Sequence, residues 1–288
     1  MTSYLPPKII RSLTELRGLT RAWKMAGESI GLVPTMGALH DGHLSLAHAA
    51  RKACDRVIVT IFVNPKQFNN PEDLANYPRT EVEDARKLTP VGVDVVYVPD
   101  GNTVYPDGFA TNVSVGGITD VMEGTHRPGH FDGVATVVAK LFLQTGADHA
   151  FFGEKDFQQL MIVTRMARDL DIDIEVIGCP TIREESGLAM SSRNLLLSDR
   201  SMMKAATLQE VMTDTVDEMI GGADFTSLQL GAITRLKAAG FSEIEYFEMR
   251  ARDDFTLLET PTRPARLFAA AWLAGVRLID NIEVPVKG

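Results

Sequence analysis

Along the first two thirds of the chain, two kinds of run alternate. Short apolar, largely β-branched runs stand at residues 29–34 (SIGLVP), 56–63 (RVIVTIFV), 93–98 (VDVVYV), 149–152 (HAFF) and 172–177 (IDIEVI). Runs of this length and composition predict strands, the most apolar of them covered on both faces. Between them, apolar residues recur at helical spacing. Residues 42–54 offer Leu44, Leu46, Ala47, Ala50 and Ala53 for a buried face, and residues 80–88 predict a charged helix. Residues 130–144 carry the helical run GVATVVAKLFLQ, and residues 157–170 turn Leu160, Ile162, Val163 and Met166 toward a core. Strands alternating with helices imply an α/β architecture, a doubly wound parallel sheet with right-handed crossovers.

The pattern changes after about residue 182. Residues 201–220 read as one long helix capped by Ser198 or Asp199, Gly221 and Gly222 break it, and residues 226–239 form a second. Residues 243–250 and 266–273 read as strands, with Pro261 and Pro264 between them, and residues 275–279 extend that sheet. Two domains are expected, a larger doubly wound one over residues 1–182 and a smaller α+β one over 183–288.

Composition narrows the function classes. A chain of 288 residues buries a sizeable core without disulfides or metals, and its usage, 45% hydrophobic and 23% charged, is ordinary for a globular protein. A net charge of −9 argues against non-specific nucleic-acid binding, yet leaves room for a local basic pocket. Cys54 and Cys179, far apart and outside any Cys/His cluster, read as buried thiols of a reducing compartment. The N-terminus lacks the apolar core of a signal peptide, and charges or glycines interrupt every apolar stretch before about 18 residues. A cytoplasmic protein without a membrane span is expected.

The unusual polar residues cluster just beyond strand ends, where ligands of open α/β sheets bind. His40 follows the first strand, Asn64 and Gln67 the second, and Gly153-Glu154-Lys155-Asp156 the strand near residue 150. In His40-Asp-Gly-His43, a helix starting near residue 42 puts both imidazoles at its N-terminal end. There the unbonded N–H groups and the partial positive charge suit phosphate oxygens. Gly42 leaves room for a phosphate, and Asp41 is a candidate helix cap. No third ligand stands nearby in sequence to make the pair a metal site. The run Met190-Ser191-Ser192-Arg193-Asn194 offers hydroxyls and a guanidinium as a second phosphate element, at the domain junction where closure would shield the chemistry.

Six ordered blocks, VPTMGALHDGHLSL, IFVNPKQFNNPEDLANYPRT, RPGHFDGVATVV, FFGEKDFQQL, GLAMSSRN and RLIDNI, together resemble the pantothenate synthetase (pantoate–β-alanine ligase) family of the HxGH nucleotidyltransferase superfamily. The resemblance runs from about residue 29 to residue 282. It implies a Rossmann-like domain followed by a smaller C-terminal lid domain, and a homodimer. It also implies condensation of (R)-pantoate with β-alanine, with ATP cleaved to AMP and pyrophosphate through a pantoyl adenylate. Mg²⁺ would be held mainly through the phosphates, with no fixed protein ligand.

By the same resemblance, His40, His43, Lys155 and Arg193 are the catalytic group. Pro34, Thr35, Met36, Gly37, Gly153, Glu154, Asp156, Ile182, Met190, Ser191 and Ser192 join them around ATP, with Asp156 at the ribose hydroxyls. Gln67 and Gln159 would orient pantoate, Met36 would shape its apolar wall with Pro34, Phe62 and Val138, and Asn64 would line the second-substrate side. Arg127 is expected to support the pocket through an ion pair with Glu123, and Tyr77 to stand at its mouth. Glu83 and Asp84 are expected on a charged helix face, and His48, His130 and His149 in structural roles. Two other classes stay open on the residues alone, a related transferase that hands a nucleotide to a phosphorylated alcohol, and a non-catalytic nucleotide-binding module.

Overall fold

A computed structural model describes residues 4–286. The chain divides into two compact units. One runs to Glu154 and resumes at Gln158–Pro180; the other consists of Lys155–Phe157 and the chain from Thr181 onward.

The first unit opens with β1 (Lys8–Ile10) and α1 (Leu13–Met25), which the hydrophobic pattern did not single out. Ser12 caps α1 by accepting from Glu15 N. Then come β2 (Ile30–Thr35), α2 (Asp41–Ala53), β3 (Arg56–Ile61), α3 (Pro71–Asn76), α4 (Glu81–Leu88) and β4 (Val95–Tyr97). The short α5 (Gly101–Val104) and α6 (Glu123–His126) precede α7 (His130–Thr145), β5 (His149–Gly153), α8 (Phe157–Asp169) and β6 (Glu175–Cys179). All six strands run parallel in the order β1-β4-β3-β2-β5-β6. Val57, Val59 and Ile61 on one face of β3 join Leu46, Ala47 and Ala50 of α2 in an apolar core, a burial that stabilises by roughly 25 cal/mol per Å².

The winding reverses at β2. That strand keeps its register with β3 up to Thr35↔Ile61, but pairs with β5 only at Gly31↔His149 and Leu32↔Ala150. The carboxyl-terminal halves of β2 and β5 therefore lack a shared ladder, and a crevice at such a switch is where doubly wound sheets take ligands.

Several strand boundaries differ from the sequence pattern, with β4 starting at Val95 and the last strand running on to Val284. Residues 172–174 lie outside β6, because Asp171 turns at φ +50° and the Ile172 amide bonds back to Ala167 O, closing the end of α8.

The second unit holds α9 (Asp199–Ala205), α10 (Thr207–Ile220), α11 (Phe225–Ala239), β7 (Glu243–Ala251), β8 (Ala265–Leu273) and β9 (Val276–Val284). The single helix expected over 201–220 is interrupted at Ala206, whose amide turns to Lys204 O and leaves the regular ladder. Ser198 is its cap, accepting from Ser201 N. The strands form an antiparallel sheet in the order β7-β8-β9. Leu267, Ala269, Val276 and Leu278 of its inner face pack with Val211, Met212 and Leu236 of α10 and α11.

Candidate active site

Beyond β2 the backbone makes a tight turn, with Gly37 at φ +85° and Ala38 at φ +51°. A side chain on Gly37 would also press on Ile61 Cγ2 at 3.1 Å and on Asp84 Oδ2 at 3.2 Å, so glycine is needed twice over. Asp84 holds this turn. Its Oδ2 accepts from Ala38 N at 3.0 Å and its Oδ1 from Leu39 N at 2.8 Å. Thr80 Oγ1 donates to Asp84 at 3.0 Å, and Lys87 Nζ donates to Leu39 O at 2.9 Å. Asp84 is fully buried, which corrects the charged-face expectation; only Glu83, paired with Lys87 at 3.0 Å, lies on that face.

The turn delivers His40 as the N-cap of α2, and Asp41 becomes the first helical residue instead of the cap. His40 Nδ1 accepts from Gly42 N at 3.2 Å, and His43 Nδ1 accepts from His40 N at 3.4 Å. Each imidazole thus spends its Nδ1 lone pair on the backbone, which requires the neutral ring to carry its proton on Nε2. The rings lie 4.1 Å apart, so two Nε2–H donors flank the N-terminus of α2. Thr35, with Oγ1 donating to Thr60 O at 2.6 Å and accepting from Gly37 N at 3.1 Å, ties the turn to β3. Pro34 and Met36 are half-buried on either side of it.

Beyond β3 a second polar group forms around Gln67. Asn64 is buried, and its Nδ2 donates to Gln67 Oε1 at 3.0 Å and to Gly133 O at 3.1 Å. Its Oδ1 accepts from Tyr105 Oη at 2.8 Å and from Lys66 N at 3.3 Å. Burial pushes the Tyr105 hydroxyl well above its usual range, so it stays a donor. The Gln67 carbonyl lies 2.8 Å from His130 Nδ1 and 3.4 Å from Arg127 Nη2, and Arg127 pairs with Glu123 at 3.3 Å. Gly133 permits the approach of α7, since a Cβ there would stand 2.3 Å from Lys66 O. Phe62 and Val138 are buried, and Tyr77 packs edge-on against Phe68 at 5.6 Å.

On α8, Gln158 and Gln159 divide their work. Gln158 is buried and serves the fold, donating to Ile118 O and Val121 O at 2.8 Å and accepting from Glu123 N at 3.1 Å. Its neighbour Gln159, rotated by about 100° around the helix, is half-buried and points elsewhere. Gly153 closes β5 in register with Cys179, and Glu154 follows it. His149 Nδ1 lies 3.1 Å from Glu175 Oε2, and His48 is exposed on α2.

The remaining predicted residues belong to the second unit. Lys155 has its Nζ 3.9 Å from Asp156 Oδ1, while its carbonyl accepts from Asn281 Nδ2 at 2.8 Å. Residues 182–190 form a hairpin in which Met190 N donates to Ile182 O and Glu184 N to Leu188 O. Arg183 of this hairpin makes a two-pronged pair with Asp280, at 2.6 and 2.9 Å. The hairpin leads into Ser191, whose Oγ accepts from Arg193 N at 3.2 Å, and into the 3-10 turn Ser192–Leu196. Buried Asn194 anchors the turn by donating to Ala189 O at 3.1 Å.

Within the first unit, then, His40 and His43 stand together beyond β2, and Asn64, Gln67 and Arg127 share one network beyond β3. Within the second, Lys155 and the segment leading to Ser191–Arg193 both attach to β9. Sequence reasoning missed Asp84, Tyr105, Asp280 and Asn281 as supports. Asp84 had a signal, since it lies one helical turn before buried Leu88 on the core-facing stripe of α4. Among the described residues no group of three or more His, Cys, Asp or Glu is placed to hold a metal ion, and no helix is long and apolar enough to cross a membrane.

Known proteins resemble this arrangement throughout its length. The family model described as pantoate-beta-alanine ligase matches residues 8–283. The pantothenate synthetase of Roseobacter denitrificans is 67% identical over 278 residues, covering 96% of this chain and 98% of its own. That of Ruegeria pomeroyi is 67% identical over 276 residues, covering 96% and 97%. The crystal structure of pantothenate synthetase from Thermus thermophilus superposes with a TM-score of 0.90 at 40% identity, covering 96% of this chain and 99% of that one. The Francisella tularensis pantoate-beta-alanine ligase, crystallised with beta-gamma ATP and beta-alanine, superposes with a TM-score of 0.81 at 34% identity, covering 96% and 97%. With this coverage and identity, and with the six sequence blocks in place along the fold, the chain belongs to the pantoate–β-alanine ligase family.

Proposed function

We propose that this chain condenses (R)-pantoate with β-alanine to pantothenate, cleaving ATP to AMP and pyrophosphate through a pantoyl adenylate. The observation that carries the reading is the pairing of His40 and His43 at the N-terminus of α2, each with its Nδ1 on a backbone amide, beside the switch point of the parallel sheet. The ATP and β-alanine bound to the Francisella relative support the same substrates here.

In the first step a pantoate carboxylate oxygen attacks the α-phosphorus of ATP, and the bond to the bridging oxygen breaks with pyrophosphate as leaving group. Charge grows on the departing oxygens, where His40, His43, Lys155 and Arg193 donate. Ser191 and Ser192 add hydroxyl donors as the 183–288 region closes as a lid over the nucleotide. Gly153 gives the backbone room beside it, Glu154 and Asp156 face the sugar, and Ile182, Met190, Pro34, Thr35 and Gly37 line the nucleotide. Gln67 and Gln159 orient pantoate against Met36, and Asn64 acts through Gln67.

In the second step the amine of β-alanine attacks the anhydride carbonyl, AMP leaves with the bonding pair, and the nitrogen loses a proton. Excluding water protects the anhydride until then.

The donor set fits a cation carried by the nucleotide. Asp84 is committed to two backbone amides and a hydroxyl, so Mg²⁺ would take phosphate and water oxygens as ligands. When bound, it supplies charge neutralisation to the phosphates. The protein is proposed to act in the cytoplasm as a homodimer.

The deciding assay supplies pantoate, β-alanine and MgATP and measures pantothenate, with ATP–pyrophosphate exchange as the first half-reaction. His43→Ala and Lys155→Ala are expected to lower exchange by about 10²- to 10³-fold with the fold retained. Exchange that proceeds without pantoate, or full exchange in both variants, would sink the reading.

A further inference from the structure

The block RLIDNI lies on β9 and has no part in the reaction just described. Its fourth and fifth residues, Asp280 and Asn281, are both buried, at 4% and 2% exposure, although consecutive residues of a strand point to opposite faces. Register places them on those two faces. Asp280 lies opposite Ala269, on the face packed against α10 and α11, and Asn281 lies opposite Phe268 on the other face.

Each residue reaches a different segment. On the helix-covered face, Asp280 takes both guanidinium prongs of Arg183, which also donates to Gly187 O at 3.0 Å across the hairpin turn. On the other face, Asn281 Nδ2 donates to Lys155 O at 2.8 Å, and its Oδ1 accepts from Arg266 Nε at 2.6 Å. Arg266 in turn lies over the ring of Phe157 at 4.3 Å, and Phe157 packs against Phe255 and Phe268. The segment Lys155–Phe157 is thus held at its carbonyl and at its aromatic ring.

A buried carboxylate and a buried amide on adjacent positions of one strand are costly unless paired, and here each is paired with a segment that carries phosphate-facing residues. We infer that Asp280 and Asn281 are positioning residues, a two-faced clamp that sets the distance between Lys155 and the Ser191–Arg193 turn. The inference rests on the proposed role of those residues at the triphosphate. A strand backbone between the two anchors is stiff, so the clamp holds the donors at one spacing. A displacement of about 1 Å in such donors costs up to about 100-fold in rate.

The test separates the two half-reactions in the full-length protein. Asn281→Asp keeps the acceptor for Arg266 and removes the donor to Lys155 O. Asp280→Asn keeps the volume and weakens the fork to Arg183. Both are expected to lower pantoate-dependent ATP–pyrophosphate exchange by about 10- to 100-fold, mostly in kcat. Both are expected to leave the β-alanine-dependent conversion of supplied pantoyl adenylate near its original rate. A purely structural role would depress both half-reactions together with Tm, and that result overturns the inference, as does unchanged exchange.

Asn281→Ser, or Arg183→Lys on the other face, replaces a variant that does not fold, with the same split expected. Lys155→Ala is run beside them. If it is inert, the reading of Lys155 fails and the clamp falls with it. If it abolishes exchange while Asn281→Asp and Asp280→Asn do not, only the clamp fails.

Discussion

The His40–His43 turn of the first unit and the Lys155 and Ser191–Arg193 segments of the second, all proposed above to act on the phosphates of ATP, are mounted in different ways. The histidines are held chiefly by their own stretch of chain. Each Nδ1 takes a backbone amide two or three residues away, and Asp84, a distant support of the turn, grips backbone instead of side chain. Lys155 and the hairpin before Ser191 depend on side chains of β9, 126 and 97 residues away in sequence. A locally capped element is set as soon as its helix starts. A clamp from a distant strand exists only once its sheet has formed, so it couples donor placement to the integrity of the second unit.

The strongest test of this contrast removes the distant support of the local element. Asp84→Ala orphans the buried amides of Ala38 and Leu39, at about 1–3 kcal/mol each, and should lower stability by roughly their sum and pyrophosphate exchange with it. Chemical denaturation reads the first effect. Unchanged stability would mean that the turn supports itself, and the contrast with β9 would widen. Asp84→Asn keeps one acceptor oxygen and should recover part of the loss.

A smaller effect is expected from Tyr105→Phe, which removes a single donor to Asn64 Oδ1. The cost should be about 1 kcal/mol in stability, with KM for pantoate raised and KM for ATP unchanged. A rise in both constants would mean that the Gln67 network and the histidine turn are one mechanical unit.

The effect that is smallest at neutral pH, and grows only in alkali, concerns a thiol. Burial, aided by Asp148, raises the Cys54 thiol from 9.0 to about 11. The unfolded chain therefore ionises this thiol first, so stability that is present below about pH 9 declines as the pH rises toward 11. Cys54→Ala should flatten the stability curve over that window. An identical slope in the variant would mean that other groups govern alkaline unfolding of this unit.

Much of this organisation was legible in the residues. The apolar runs at 56–63 and 93–98 read as strands because a doubly covered strand excludes polar side chains, and they contain β3 and β4. The helix after His40 was legible from the spacing of its apolar residues, which repeats once per turn. Asp84 was misread because charge alone suggested an exposed face, whereas buried Leu88 four residues later marked that position as inward. Tyr105 gave no local signal for its support of Asn64, since that hydrogen bond spans 41 positions.

The sequence by itself determined the alternation of strands and helices, the placing of polar clusters beyond strand ends, and the family those clusters resemble. Each rests on periodicity or on short ordered blocks, which are properties of neighbouring residues. Only the tertiary structure decided the strand order with its switch at β2, the tautomer-setting bonds of His40 and His43, and the use of Asp84, Asp280 and Asn281 as anchors. A buried polar group is tolerable only with a partner, and that partner is chosen by packing across the chain instead of by the order of residues along it.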